Sequence, residues 1–423
     1  MLKLPFQMEF VVNLTHRCNM TCNMCTQYGS TFKNNTLNEM TFEEWDTFFD
    51  SIKSVSPKPQ VTLMGGEPLL HKDFDKILMS ATEKKLKVHI VTNGYLLKEH
   101  LDIIAKSKAS LSISIDGLGE THDKIRNTKG SFERSVECLK LIQKINKSKR
   151  LIRTCINYVM LPENIHEILD FAEYMWQFEP AFIGFQHLQF SSDKLDAQNN
   201  KEWVKCLKQK YTTTLKPKVT YEFNEHYVEE LYSKIEQLRK KYGPTKVYDF
   251  PHLSFEEMKK YYLEEDLSLI RKNRICTTPW MSPSITPDGK VSNCICNEIG
   301  NLRENDFWTI FNNDKANKIR EQLAQHGKFP VCSRCCCFYK SNFLVAPNKI
   351  IELNDGQRLL LPEVLNYITA AKDGVFIYDS NFVFESDMQM DLTPVIPYTV
   401  HNQRQEKRIE KDNVIVGRYD QML

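Results

Sequence analysis

Residues 8–25 read MEFVVNLTHRCNMTCNMC, and this stretch governs the reading of everything after it. Its first half, residues 8–15, is rich in branched and aromatic side chains and predicts a strand. Its second half delivers three cysteines within eight residues, Cys18, Cys22 and Cys25, directly behind that strand. Thiolates are the usual ligands of iron–sulfur clusters and also bind zinc. Three ligands is the informative number. A cubane cluster held by three cysteines leaves one iron open to a small molecule, which suits catalysis and suits a purely structural site poorly. The plainer alternatives are a zinc knob, or three thiols brought to one helical face by i, i+4, i+7 spacing.

Beyond this stretch, short apolar segments alternate with amphipathic ones. Further strands are expected at 60–64, 87–92, 110–116, 154–160 and 181–188, and helices near 41–54, 72–85, 98–107, 131–147 and 163–177. Thr41 precedes Phe-Glu-Glu-Trp with Glu44 placed to complete a capping box. Ser131 is read as the start of a helix whose Phe132, Val136, Leu139 and Ile142 recur at helical spacing. Strands alternating with helices mean a parallel sheet with right-handed crossovers. Six of them suit an α/β fold, a partial (β/α)6 TIM-like barrel. Loops at the C-terminal ends of the strands are where such folds place their chemistry.

The chain has 423 residues, 41% hydrophobic and 26% charged, an ordinary globular balance. A net charge of +2 provides no field to recruit nucleic acid or anionic lipid. No stretch approaches the roughly 20 apolar residues that cross a bilayer. Lys3, Gln7 and Glu9 interrupt what would otherwise resemble a signal peptide, so a cytoplasmic protein is expected, with no membrane or nucleic-acid partner. In that compartment thirteen cysteines point to metal ligation rather than disulfides. Cys138, Cys155 and Cys206 stand alone and read as small buried hydrophobes.

Four regions are expected: a barrel over 1–190, a helical bridge over 191–275, a cysteine-rich unit over 276–340, and an extension over 341–423. The bridge contains YVEELYSKIEQLRKKYG and a break at Gly243-Pro244; the extension carries a turn signal at Asn354-Asp355-Gly356. Within the extension GVFIYDSNFVFES reads as a hairpin, and no chemistry is evident there.

Residues 276–296 read CTTPWMSPSITPDGKVSNCIC, and 332–337 read CSRCCC. Cys276, Cys294, Cys332 and Cys335 stand out. A hairpin turning at Pro287-Asp288-Gly289 would hold the first pair, and a Cys-x2-Cys knuckle the second. Four thiolates suit a closed zinc site or a fully ligated [4Fe-4S] cluster, and spacing does not separate the two.

The Cys-x3-Cys-x2-Cys run resembles the signature of the radical S-adenosylmethionine (SAM) superfamily. The residue before the last cysteine is usually aromatic there; here it is Met24, whose thioether also packs on flat rings. Met64-Gly65-Gly66-Glu67-Pro68 resembles the family's GGEP motif, which binds the SAM amino group. Two glycines allow a close backbone approach, and Glu67 is an acceptor for an ammonium group. Read by itself, the motif is a Gly-Gly turn closed by proline. Thr92-Asn93-Gly94, the strand Ser112-Ile-Ser114-Ile-Asp116 and the segment Glu120 to Arg126 are similar to pieces of the SPASM branch. That likeness implies Asn93, Ser114 and Asp116 at the cofactor, with Ser114 near its ribose and Arg126 near its carboxylate. An ordinary turn and a surface salt bridge are the alternatives. Asn157, Gln186 and His187 are further candidates for the cavity wall, although a buried, hydrogen-bonded histidine is the commoner outcome.

Cys276-x12-Gly289-x4-Cys294 resembles the opening of the SPASM domain, as do Gly300-Asn301-Leu302 and the helix with Arg320. No cysteine follows Cys337, so the shortened Twitch form is implied, with one auxiliary [4Fe-4S] cluster. Cys296, Cys336 and Cys337 are alternative ligands. The resemblance spans residues 8–340. It implies SAM on the open iron of a [4Fe-4S] cluster, reductive cleavage to a 5′-deoxyadenosyl radical, hydrogen abstraction from a substrate, and a flavodoxin, ferredoxin or reductase electron donor. The substrate is read as a small molecule, such as a sugar or cyclitol, to be oxidised or rearranged. A ribosomally made peptide is the alternative, weighed down because the cysteine loop at residue 18 leaves no room for a leader-binding domain before it. A non-catalytic zinc-binding interaction module predicts zinc at both sites and leaves residues 65–68 unexplained.

Overall fold

In a computed structural model of the chain, the strands that the pattern predicts lie side by side in one sheet. The structure describes residues 7–26, 38–149, 152–208, 216–243, 246–264, 274–276, 278–294, 297–326 and 329–335, plus the backbone of short strands between 343 and 418. Parallel strands β1 (Glu9–Thr15), β2 (Gln60–Gly65), β3 (Lys87–Thr92), β4 (Ser110–Ser114), β5 (Thr154–Met160) and β6 (Ile183–His187) follow in sequence order. Their centres pair apolar residue against apolar residue, Leu63 with Ile90, Ile90 with Leu111 and Ile113 with Ile156. This is the pattern of strands buried on both faces, where side chains have no solvent side to alternate toward.

Helices α1 (Phe42–Ile52), α2 (Phe74–Glu83), α3 (Leu97–Ser107), α4 (Glu120–Arg126), α5 (Ser131–Lys149) and α6 (Ile168–Trp176) alternate with these strands. The Thr41–Glu44 capping box forms as the sequence implies. The start of α5 is built differently. Its free N–H groups are taken by Asp123 of the preceding helix, which accepts from Gly130 and Phe132 at 2.5 and 3.0 Å, while Ser131 donates its own hydroxyl to Asp123. The helix expected over 163–177 is shortened by a 3₁₀ turn at Ile165–Glu167, and a further 3₁₀ turn, Pro68–Leu70, precedes α2.

Two features of the sheet were not expected. A seventh parallel strand, β7 (Val247–Phe250), pairs with β6 inside the segment read as a helical bridge, between α8 (Glu225–Tyr242) and α9 (Phe255–Leu263). On the opposite edge the cysteine-rich region joins the barrel sheet directly. After the short strand β8 (Arg274–Ile275), β9 (Ser284–Ile285) runs parallel to β1, with Val11 opposite Ser284. Strands β10 (Lys290–Cys294) and β11 (Asn297–Asn301) then extend the sheet to ten strands.

One core results, with Phe10 and Phe48 of the barrel stacked edge-on against Phe307 of α11 (Phe307–Phe311) at 5.1 and 5.8 Å. In the extension, Asn348–Glu352 pairs with Arg358–Pro362 on either side of the predicted Asn354-Asp355-Gly356 turn. The expected hairpin over 374–386 is seen in part: Val375–Ile377 pairs instead with the distant Val414–Arg418, and its second half lies outside the described residues. Among the described residues no helix is long and apolar enough to cross a membrane.

Candidate cofactor site

The cysteine loop leaves β1 and is clamped at its root by the end of β2. Gly66 N–H donates to the Thr15 carbonyl and Glu67 N–H to that of Arg17, both at 2.8 Å. A Cβ on Gly66 would stand 2.1 Å from the Arg17 carbonyl oxygen; on Gly65, at φ +136°, it would stand 2.4 Å from that of Thr15. The glycines therefore serve a close approach between two segments of the chain itself, where the sequence reading placed a ligand. Pro68 opens the 3₁₀ turn that follows.

Glu67 is fully buried beneath this loop. Its Oε1 accepts from the Thr92 hydroxyl at 2.8 Å and Leu69 N–H at 3.3 Å, and its Oε2 from Asn93 N–H at 2.8 Å. Burial pushes its pKa up to about 7 against these donors. Asn93, so placed at the end of β3, turns its Nδ2 to Asn19 Oδ1 at 2.8 Å and to Cys18 Sγ at 3.9 Å. The end of β3 thus holds the first cysteine in position.

The end of β4 does the same for the second. Arg126 Nε donates to Asp116 Oδ2 at 2.5 Å while its Nη1 lies 3.8 Å from Cys22 Sγ. Asp116 is fully buried, and its other oxygen accepts from Val159 N–H at 2.7 Å. Its backbone carbonyl accepts from Asn164 Nδ2 at 3.0 Å, and its N–H donates to His122 Nδ1 at 3.0 Å. That bond requires Nδ1 unprotonated, and burial holds the His122 pKa down to about 3. Asp116 and the nearby thiol hold the Arg126 guanidinium charged. Asn23 N–H also donates to the Ile125 carbonyl at 2.9 Å, so loop and helix α4 move as one. Burial pushes the Cys18 thiol up to about 12 and raises that of Cys22, the latter opposed by Arg126.

Cys18 is the most exposed of the three, whereas Cys22 belongs to a separate apolar cluster with Met20, Met24, Ile125, Leu161 and Leu188, and Cys25 packs against it. Tyr95, Phe190, Tyr221 and Phe223 pack against it. Met24 thus sits within this protein cluster. Ser114 is half-buried at the end of β4 opposite Asn157, whose Oδ1 is buried with no hydrogen-bond partner among the described residues. Gln186 is half-buried on β6. His187 is buried, bonded through Nδ1 to the Tyr262 hydroxyl at 2.7 Å, and its pKa is lowered by burial to about 4, so it is neutral.

Sequence reasoning passed over Tyr221. It lies in residues 216–224, which run across the cysteine loop: Lys218 Nζ donates to the Thr21 carbonyl and Val219 N–H to that of Asn23, both at 3.0 Å. The Tyr221 hydroxyl is buried and has no partner among the described residues. Asp116, Glu163 and Cys22 are near enough to add to burial in raising its pKa. The alternation Val219-Thr-Tyr221-Glu-Phe223 was the available signal, obscured by the lysines before it.

In the second cysteine group, backbone hydrogen bonds shape the knuckle. Cys332 and Cys335 sit on a 3₁₀ turn, Pro330–Arg334 and its C-cap, where Phe329 N–H donates to Cys332 Sγ at 3.4 Å and Cys335 N–H to the Cys332 carbonyl at 3.3 Å. Cys294 ends β10, beyond a turn at Pro287-Asp288-Gly289 in which Gly289 takes φ +84°. Cys276 is buried just before α10 (Thr278–Met281). Arg320 is buried, donating through Nε to the Pro279 carbonyl at 3.0 Å. Arg334, between the knuckle cysteines, donates to the Tyr261 carbonyl and lies 4.0 Å above Phe190. Cys296, Cys336 and Cys337 lie outside the described residues. Cys138 and Cys155 are buried, and Cys206 half-buried, away from both groups.

The first site's chemistry fits an iron–sulfur cluster with an organic ligand beside it. Its three cysteines offer thiol donors, and two buried oxygens, Asn157 Oδ1 and the Tyr221 hydroxyl, have no hydrogen-bond partner among the described residues. Among the described residues no three His, Cys, Asp or Glu side chains group closely enough to hold a single metal ion.

Comparison with known proteins agrees. The pattern of the radical SAM superfamily matches residues 12–175, and that of an iron–sulfur cluster-binding domain, SPASM, matches residues 276–336. An AdoMet-dependent heme synthase of Methanosarcina barkeri is 34% identical over 160 residues, 37% of this chain and 43% of that protein. The sporulation killing factor maturation protein SkfB of Bacillus subtilis is 28% identical over 164 residues, 38% of each. These matches span about two-fifths of the relatives' lengths. The crystal structure of Streptococcus suis SuiB bound to S-adenosylmethionine shares the fold, with a TM-score of 0.55 at 16% identity, covering 79% of this chain and 73% of that one. With SAM and a [4Fe-4S] cluster as its cofactors and an auxiliary iron–sulfur cluster in its C-terminal part, the chain belongs to the SPASM-containing branch of the radical SAM superfamily.

Proposed function

We propose that the chain is an enzyme that removes a hydrogen atom from a sugar- or cyclitol-like small molecule, oxidising or rearranging it. One observation carries the radical chemistry: where the parallel strands end, Cys22 and Cys25 share an apolar cluster with Tyr221, whose buried hydroxyl has no partner among the described residues. When bound, the cluster supplies an electron and SAM supplies the 5′-deoxyadenosyl radical that takes the hydrogen atom. Cys18, Cys22 and Cys25 hold the cluster. Glu67 and Asn93 set the loop's first half, Asp116 and Arg126 its second, and Ser114 and Gly65 to Pro68 border the cofactor. The cysteine loop, Leu161, Leu188 and the aromatic wall exclude water and stray hydrogen donors.

Cys276, Cys294, Cys332 and Cys335 are assigned as the residues that would hold one auxiliary [4Fe-4S] cluster, which would supply an electron acceptor or an anchor for the substrate. The barrel is assigned to residues 1–190, a bridge to 191–275, the auxiliary-cluster unit to 276–340 and an extension to 341–423. Electrons are supplied by a flavodoxin, ferredoxin or reductase. Modification of a peptide is the second reading, supported by the likeness to SkfB and by the fold shared with SuiB, which has been solved bound to its precursor peptide SuiA.

The test is anaerobic reconstitution followed by 5′-deoxyadenosine assay with panels of sugars, cyclitols and short peptides. Stimulation and conversion by the first two panels support the small-molecule reading. Stimulation by peptides alone replaces it with the second, and no cleavage of SAM under any reductant contradicts both.

A further inference from the structure

We propose that Tyr221 is a binding residue for SAM, and that residues 216–223 form a strap placing its hydroxyl beside the cysteine loop. This inference rests on the SAM-binding reading of the site and adds a residue from outside both segments matched by the family patterns, 12–175 and 276–336.

The strap is fastened where it crosses the loop. Lys218 Nζ and Val219 N–H bond the carbonyls of Thr21 and Asn23, which lie on either side of Cys22. Two residues on, Tyr221 and Phe223 join the same apolar cluster as Cys22 and Cys25. The Tyr221 ring stacks on Phe223 with centroids 6.4 Å apart and planes 22° apart, and Phe223 is wedged against Tyr262 at 4.7 Å and Phe190 at 5.2 Å. The phenol is thereby held by its ring while its oxygen is left without a partner.

A buried hydroxyl that makes no hydrogen bond is costly, and native proteins rarely keep one that nothing satisfies. Of its polar neighbours, Glu163 is exposed to solvent and makes no bond to the hydroxyl, both oxygens of Asp116 already accept bonds, from Arg126 and from Val159 N–H, and Cys22 faces Arg126. The hydroxyl's natural partner is an oxygen of the molecule that binds beside Cys22, which is SAM, through its carboxylate or its ribose.

The test uses the full chain, reconstituted without oxygen, as wild type and Tyr221→Phe, a change that keeps the ring and removes only the hydroxyl. SAM affinity is measured by titrating SAM against the electron paramagnetic resonance signal of the reduced cluster, with iron and sulfide counted in parallel. The expected result is unchanged iron and sulfide with a SAM Kd raised about fivefold, the weight of one neutral hydrogen bond. An unchanged Kd overturns the proposal, and loss of iron from the variant overturns it too, because Tyr221 would then serve the loop itself. Failure of the wild type to bind SAM would instead sink the reading of the site on which this inference rests.

Discussion

Around Cys18, Cys22 and Cys25 the chain buries Glu67, Asp116, His122 and Arg126, each hydrogen-bonded to a strand end or to the loop. Around Cys276, Cys294, Cys332 and Cys335 the described residues include anchors of another kind: a tight turn, an N–H to sulfur bond and arginines that donate to backbone carbonyls. Burying ionisable groups is expensive unless each is paired: the first site pairs Arg126 with the Asp116 carboxylate, whereas the buried Arg320 and Arg334 of the second bond backbone carbonyls. The difference suits the two tasks. A site that admits an exchangeable ligand leaves one side open and must hold its loop rigid from the other. A site closed by four thiolates is held by its own metal–ligand bonds.

The largest effect expected from this contrast is at Asp116. Asp116→Ala leaves the Arg126 guanidinium buried without its carboxylate, a loss of about 3–5 kcal/mol. Denaturant unfolding measures it, and the first cluster should be lost with the auxiliary one retained. A variant that kept both clusters would break the contrast.

Acid should separate the sites next. His122 titrates at about 3 in the folded chain against an ordinary value of 6.5. A depressed pKa gives stability that is present above pH 6.5 and lost as pH falls toward 3, at up to about 1.4 kcal/mol per pH unit. His122→Gln, which keeps an acceptor for Asp116 N–H, should flatten that part of the stability curve. An equally steep curve in the variant would assign the acid sensitivity elsewhere.

Glycine substitutions sharpen the comparison further. Gly66→Ala forces a methyl against the Arg17 backbone and should cost about 1–3 kcal/mol or more. Gly289→Ala, in the hairpin of the second site, meets the movable Asn301 side chain at 2.8 Å and a strained φ of +84°, and should cost about 1 kcal/mol. Thermal unfolding of the two variants ranks them, and the reverse order would contradict the account of the β2 clamp. Of similar size is Arg334→Gln, which removes the cation above Phe190 and should cost about 0.5–2 kcal/mol. No measurable change in stability would mean that this contact between the knuckle and the aromatic wall carries no weight.

The same contrast explains what was legible in the sequence. Six strands and the Thr41–Glu44 capping box are written in local periodicity, and the cysteines in spacing, so both could be read directly. Strand β7 has four residues between charged helices, too few for a period to show. The pairing of β9 with β1 joins residues more than 270 positions apart, which no local signal encodes. Gly65 and Gly66 announced a close approach without naming what approaches. Arg126 was visible as a candidate, but its carboxylate partner ten residues earlier became evident only when α4 folded back on β4. Tyr221 was hidden for a similar reason, since its meaning depends on a loop two hundred residues away.

The central claim is that the three-thiol site is the open, SAM-cleaving one and the four-thiol site a second, closed cluster. The most direct measurement counts iron and sulfide in the anaerobically reconstituted chain and in its Cys18/Cys22/Cys25→Ala variant, with 5′-deoxyadenosine assayed under reduction. The account predicts about eight irons falling to about four, with cleavage of SAM abolished. Zinc at both sites, or cleavage that survives in the variant, would contradict it.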